Sequence, residues 1–180
     1  MPQPAPPVPQ IPAGWSPVQA DLDLWVTDSF SFLAQPANFR GQLQAAKTVS
    51  GFTLMQLDTI LEDPYGGWSA TTTANQPAFS WLCPAGGAGW YEATLSGFTA
   101  SQGSGTTSQC STALYLNGTV WQYGSDDWAP ASAVAGSSGS VQVPLLPGDY
   151  VQLYVLSSAS VSTPATAGEY PALELNWVSS

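Results

Sequence analysis

After Asn38 the chain alternates apolar and polar residues with a period of two, and the runs are cut by Gly, Pro, Asn and Asp. Only pleated strands send successive side chains to opposite faces, so this pattern commits most of the chain to β-sheet. Val151, Leu153 and Val155 point one way, while Gln152, Tyr154 and Leu156 point the other. Leu173, Leu175 and Trp177 alternate likewise with Ala172, Glu174 and Asn176. The predicted strands are Gln42–Val49, Phe52–Leu61, Ala78–Leu82, Trp90–Phe98, Ala113–Leu116, Val120–Tyr123, Val141–Leu146, Tyr150–Ser157 and Leu173–Val178. Asn117-Gly118 signals a two-residue hairpin turn, and Pro147-Gly148-Asp149 a second turn in which Asp149 makes local hydrogen bonds. Many short strands with such punctuation indicate an antiparallel sandwich or jelly roll. Glu62–Gly67, Ala100–Gln109 and Ser125–Gly139 read as loops.

The first residues differ. Residues 1–15 are Pro-rich and aperiodic, and read as an extended arm that either has no fixed structure or lies along a neighbouring subunit. Residues 16–36 carry helix signals. Ser16 caps, Pro17 suits the first helical position, and Gln19 completes a capping box. Val18, Leu22, Trp25, Val26 and Leu33 then share one helical face, and Pro36 ends the run. The division is therefore an arm (1–15), a helix or anchor (16–36) and a β domain (37–180). The opening residues have neither the basic nor the apolar region of a secretory signal, so synthesis in a cytoplasm is expected.

Composition then limits the chemistry. The chain is 44% hydrophobic but only 8% charged, with no His. Two basic residues, Arg40 and Lys47, face 12 acidic ones, for a formal charge of −10. Nucleic acid and anionic membranes need clustered cations, so neither is an expected partner. Without His, Ser and Cys lack their commonest base, and zinc its commonest ligand. No catalytic residue and no cofactor is expected. Asp126 and Asp127 are weak calcium candidates, because hard cations take loop oxygens. Cys83 and Cys110 read as two small buried side chains, with a late-formed disulfide as the alternative. Trp68, Trp121 and Trp128 stand in Gly-, Ser- and Asp-flanked segments, where they either seal a loop to the domain or stack on sugar rings.

Three segments taken in order resemble a known fold family. They are Ala85-Gly86-Gly87-Ala88-Gly89-Trp90-Tyr91-Glu92-Ala93, the strand Ala113–Val120 with its Asn117-Gly118, and the pair of strands spanning Val141–Val155 around Pro147-Gly148-Asp149. Together they resemble the C1q/TNF-like jelly roll. The helix followed by Phe39-Arg40-Gly41-Gln42, with Phe32-Leu33 and Pro36, is similar to a group of actinobacterial and actinophage virion proteins in which a helix precedes such a domain. The resemblance implies a homotrimer, with Trp90, Tyr115, Tyr154 and Trp177 as candidate subunit contacts. It also implies a non-enzymatic virion protein of a tailed bacteriophage, either a minor tail protein or a capsid decoration protein. Residues 1–36 would attach it to other virion proteins, and the head would be free for host attachment through a surface glycan. A free bacterial carbohydrate-binding module is the alternative.

Overall fold

A computed structural model describes residues 36–100, 108–130 and 133–179. The arm and helix expected before Pro36 thus lie outside the described residues. The strands, in chain order, are β1 (Phe39–Gln42), β2 (Thr48–Leu54), β3 (Thr59–Glu62), β4 (Trp68–Ser69), β5 (Ser80–Leu82) and β6 (Gly89–Ala100). They continue as β7 (Ser108–Leu116), β8 (Thr119–Ala129), β9 (Val134–Leu145), β10 (Tyr150–Ser162) and β11 (Ala172–Ser179). Every pairing is antiparallel. One layer has the order β3-β1-β11-β6-β9. The other has the order β4-β5-β10-β7-β8, with β2 taking over the edge of β10 where β5 ends. The layers join at one corner, where Ser162 of β10 pairs with Ala100 of β6.

The core is the space between the layers. Tyr91, Leu95, Val143, Leu173 and Leu175 enter it from the first layer, and Leu114, Val151, Leu153 and Val155 from the second. Phe39, Trp81 and Tyr91 form an aromatic knot at one end, with Trp81 and Tyr91 ring centres 5.7 Å apart at 63°. All three rings are fully buried. Replacing such a ring by Ala costs about 3–5 kcal/mol. The Trp81 indole N–H donates to Asp63 Oδ1 at 3.3 Å. The same carboxylate accepts from the Gly67 and Trp68 amides, so Asp63 fixes the turn between β3 and β4.

Both turn signals are realised. Asn117 and Gly118 have φ of 50° and 78°, as a tight hairpin between β7 and β8 requires. Gly148 has φ of 93°. Asp149 accepts from the Leu146 amide and from Asn117 Nδ2, and Asn117 Oδ1 accepts from the Tyr150 amide. The two turns are thereby locked together.

Three expectations are corrected. The strand read as Gln42–Val49 is broken by a loop, whose Gln44 and Ala45 amides donate to the Asp58 carboxylate. The strand read as Phe52–Leu61 is also broken, because the chain crosses between layers there and buries Met55 and Leu57 on the way. The segment Ser125–Gly139, read as a loop, instead holds the second half of β8 and the first half of β9.

That third correction has a structural cause. Strands β8 and β9 run side by side where the two layers meet, yet they share no backbone ladder. Side chains close the gap. Trp121 Nε1 donates to Gln142 O, the Ser138 amide donates to Ser125 Oγ, and the Gly136 amide donates to Asp127 Oδ2. Each step along β8 is matched by an equal step back along β9, so this is a seam in regular antiparallel register. Deeper in, Ser137 Oγ donates to Ser125 O at 2.6 Å. Its single proton is then used, so it accepts from both the Thr112 amide and the Thr112 hydroxyl, each at 3.0 Å. The layers approach closely here only because the residues are small. A Cβ on Gly97 would lie 2.6 Å from Thr112 Cγ2, and one on Gly139 would lie 3.0 Å from Gly124 Cα.

Candidate functional site

The alternation of the core strands dictates what each layer shows to the outside. On the first layer, the outward residues of β6 are Trp90, Glu92, Thr94, Ser96 and Phe98. Their partners on β9 are Pro144, Gln142, Ser140, Ser138 and Gly136. The middle of this face is therefore small and polar, with Ser140 Oγ donating to Glu92 Oε1 at 2.6 Å. Arg40 pairs loosely with Glu174 at 3.9 Å on the neighbouring strands.

The second layer presents a different surface. Ala113 of β7 is the register partner of both Tyr154 on β10 and Tyr123 on β8. The small Ala113 leaves room for the rings around it. Tyr115 stacks on Tyr154 with centres 4.0 Å apart at 29°. Phe52, reaching over from β2, lies 5.9 Å from Tyr123 and 6.4 Å from Tyr115. Phe52 is 42% exposed and Tyr123 51%. Burial, and secondarily the neighbouring Tyr123, push the Tyr115 hydroxyl above its ordinary value. Burial, then Tyr115 and Tyr150, do the same to Tyr154. These hydroxyls therefore stay protonated at neutral pH and can donate hydrogen bonds.

Of the four candidate subunit contacts, only Tyr115 and Tyr154 are brought together. Trp90 lies on the outer face of the first layer, 44% exposed. Trp177 is opposite the inward Tyr91 and packs against the core. Tyr115 and Tyr154 belong to the second layer's aromatic face. The three glycan candidates also separate. Trp68 stacks on Phe39 with centres 5.3 Å apart at 17°, which is the sealing arrangement. It also borders a cleft of about 430 Å³ lined by Leu43, Leu57 and Ile60, with Lys47 and Asp58 among its polar residues. Trp121 is tied into the seam by its indole N–H. Only Trp128, 56% exposed, stands on the same outer face as the tyrosines, since it pairs with Gln109 as Asp126 pairs with Ser111. Phe52 and Tyr123 were not singled out by the sequence. Nothing in their local spacing links them, and strand pairing alone makes them neighbours.

The calcium candidates diverge. As consecutive strand residues, Asp126 and Asp127 point to opposite faces. Asp126 accepts from Gln109 Nε2 and Trp128 Nε1, whereas Asp127 accepts from the Gly136 amide in the seam. Among the described residues, no three His, Cys, Asp or Glu side chains are grouped to hold a metal. Cys83 and Cys110 are both buried and unbridged. Burial pushes the Cys83 thiol up to about 11 and the Cys110 thiol up to about 12, so neither is a nucleophile at neutral pH.

No family model matches the chain, and no curated protein matches it. Solved structures do. The globular domain of zebrafish complement 1qA protein matches with a TM-score of 0.58 at 12% identity, covering 79% of this chain and 97% of that one. Murine APRIL matches with a TM-score of 0.53 at 10% identity, covering 78% of this chain and 98% of that one. Identities this low speak to architecture alone. The described chain has the C1q/TNF-like jelly-roll fold.

Proposed function

We propose that this protein is a non-enzymatic structural protein of a bacteriophage virion, a trimeric C1q/TNF-like head attached to the particle through residues 1–36. The observation that carries the trimer is the outer face of β6 and β9. Thr94, Ser96, Ser138 and Ser140 make it flat, small and weakly polar. Small residues let two sheets approach closely, and Glu92, the one carboxylate among the outward residues of β6 and β9, is already held by Ser140. The sparse charge of the whole chain, 8%, agrees with a molecule whose surface is largely covered by copies of itself and by a larger shell. The resemblance of the segment around Phe32-Leu33, Pro36 and Phe39–Gln42 to virion proteins supports the particle setting, as a minor tail or capsid decoration protein. Two measurements test the reading. Mass photometry of the full chain should give three copies, and a stable single copy refutes the trimer. Deletion of residues 1–14 should abolish loading into particles while the trimer persists, and normal loading refutes the anchor.

The alternative, a free bacterial carbohydrate-binding module, is favoured by one observation, the aromatic outer face of the second layer. It predicts glycan affinity without any particle.

A further inference from the structure

The outer face of the second layer combines two kinds of group. Four adjacent strands supply a continuous set of rings, Phe52, Tyr154, Tyr115 and Tyr123. Further along the same face, Gln109 Nε2 donates to both oxygens of Asp126 at 3.0 and 3.2 Å, and the Trp128 indole N–H donates to Oδ2 at 3.3 Å. We propose that this face binds a neutral polysaccharide, with the rings as a stacking platform and the Asp126–Gln109 pair as the group that reads sugar hydroxyls.

The chemistry selects that partner. A pyranose has an apolar C–H face, which suits a ring face, and a rim of hydroxyls, which needs oriented polar groups beside it. A carboxylate offers about four lone-pair sites, and two donor groups, Gln109 Nε2 and Trp128 Nε1, make three contacts to Asp126, so a sugar hydroxyl can still be accepted. Gln109 holds that carboxylate in place, which lowers the ordering cost of binding. A phosphate polymer is the wrong partner. It would meet Asp126 on a protein of formal charge −10 and find no cation on this face. Of the two basic residues, Arg40 lies on the first layer and Lys47 lines the cleft beside Leu43. Phe52, Tyr123 and Trp128 are exposed on this face, which lies on the opposite side of the sandwich from the small-residue surface of β6 and β9.

The proposal supplies the ligand for the host-surface contact and rests on the virion reading only for where that glycan is met. Affinity electrophoresis and calorimetry of the full-length protein would use soluble galactan, arabinan, mannan and β-glucan, with polyphosphate as the anionic control. At least one neutral polymer should bind and polyphosphate should not. Tyr123→Ala and Trp128→Ala should each weaken binding about tenfold, the loss expected of a principal contact residue. Tyr123→Phe, which keeps the ring, should retain most of the affinity, and Glu174→Gln on the opposite layer should retain all of it. Absence of binding to every neutral polymer overturns the proposal, as does wild-type affinity in both Ala variants. A change in oligomeric state caused by Tyr123→Ala also overturns it, because the face would then be a subunit contact. Particle loading is read in a separate experiment, so failure of the anchor leaves this result interpretable.

Discussion

The indole N–H of Trp121 reaches the main-chain oxygen of Gln142 at 3.0 Å, tying two strands that exchange no backbone hydrogen bonds. An open jelly roll would leave both strand edges bare. Unpaired edges recruit other chains, and native proteins cover them. Here the cover is a row of side chains, so its strength can be tested one residue at a time.

Trp121→Phe keeps the ring and removes the donor. The indole is 42% exposed, so water replaces much of the lost bond. A loss of about 0.5–1.5 kcal/mol in chemical denaturation is expected, in line with the net value of one hydrogen bond. The variant should remain folded, as judged by near-ultraviolet circular dichroism.

Ser137→Ala should cost more, about 1–3 kcal/mol, although the deleted atom is smaller. Thr112 and Ser137 are 0% and 1% exposed, so the Thr112 amide would be left buried without its acceptor. The ranking of Ser137→Ala below Trp121→Phe in denaturation midpoint is the readout. The opposite ranking would mean that water enters the seam.

Stability should fall at alkaline pH. Burial raises both thiols from their ordinary 9.0, to about 11 for Cys83 and about 12 for Cys110. Burial raises Tyr91 as well, from 10.0. The unfolded chain then releases these protons before the folded one does, so stability is complete below pH 9 and declines as pH rises toward 11. Urea midpoints across this range check the decline, and Cys110→Ala should flatten it. Thiol reagents at pH 7 should label neither cysteine until denaturant is added.

Acid should act through the loop between β1 and β2. Burial pushes Asp58 up, but the Gln44 and Ala45 amides outweigh it and hold the carboxylate below its ordinary 3.8. The folded state therefore gains stability above that value and loses it as pH falls further. Hydrogen exchange at the Gln44 and Ala45 amides should accelerate in Asp58→Asn at neutral pH, because a neutral acceptor holds them less firmly.

The sites divide between local and distant information. The Asp149 turn was readable because Pro147, Gly148 and Asp149 act on their own backbone within four residues. The Asn117-Gly118 hairpin was readable for the same reason. The Ser125–Gly139 segment misled because Ser and Gly have poor strand propensity, which in this protein is overridden by the need for small residues along the seam. Gly124 and Gly139 face each other there across the join. The candidate contacts Trp90, Tyr115, Tyr154 and Trp177 could not be sorted by face from the sequence. A strand reveals which residues share a side, but it does not reveal which side a given layer turns to the core.

Alternation and turn residues alone therefore settled that this is an antiparallel β protein and where two of its turns fall. Period and local backbone preference are carried by neighbours in the chain. Which rings meet on the outer face, and how β8 and β9 are joined, came only from the folded structure. Phe52 and Tyr123 lie on strands far apart in sequence, and only the pairing of β2 with β10, β10 with β7 and β7 with β8 brings them together.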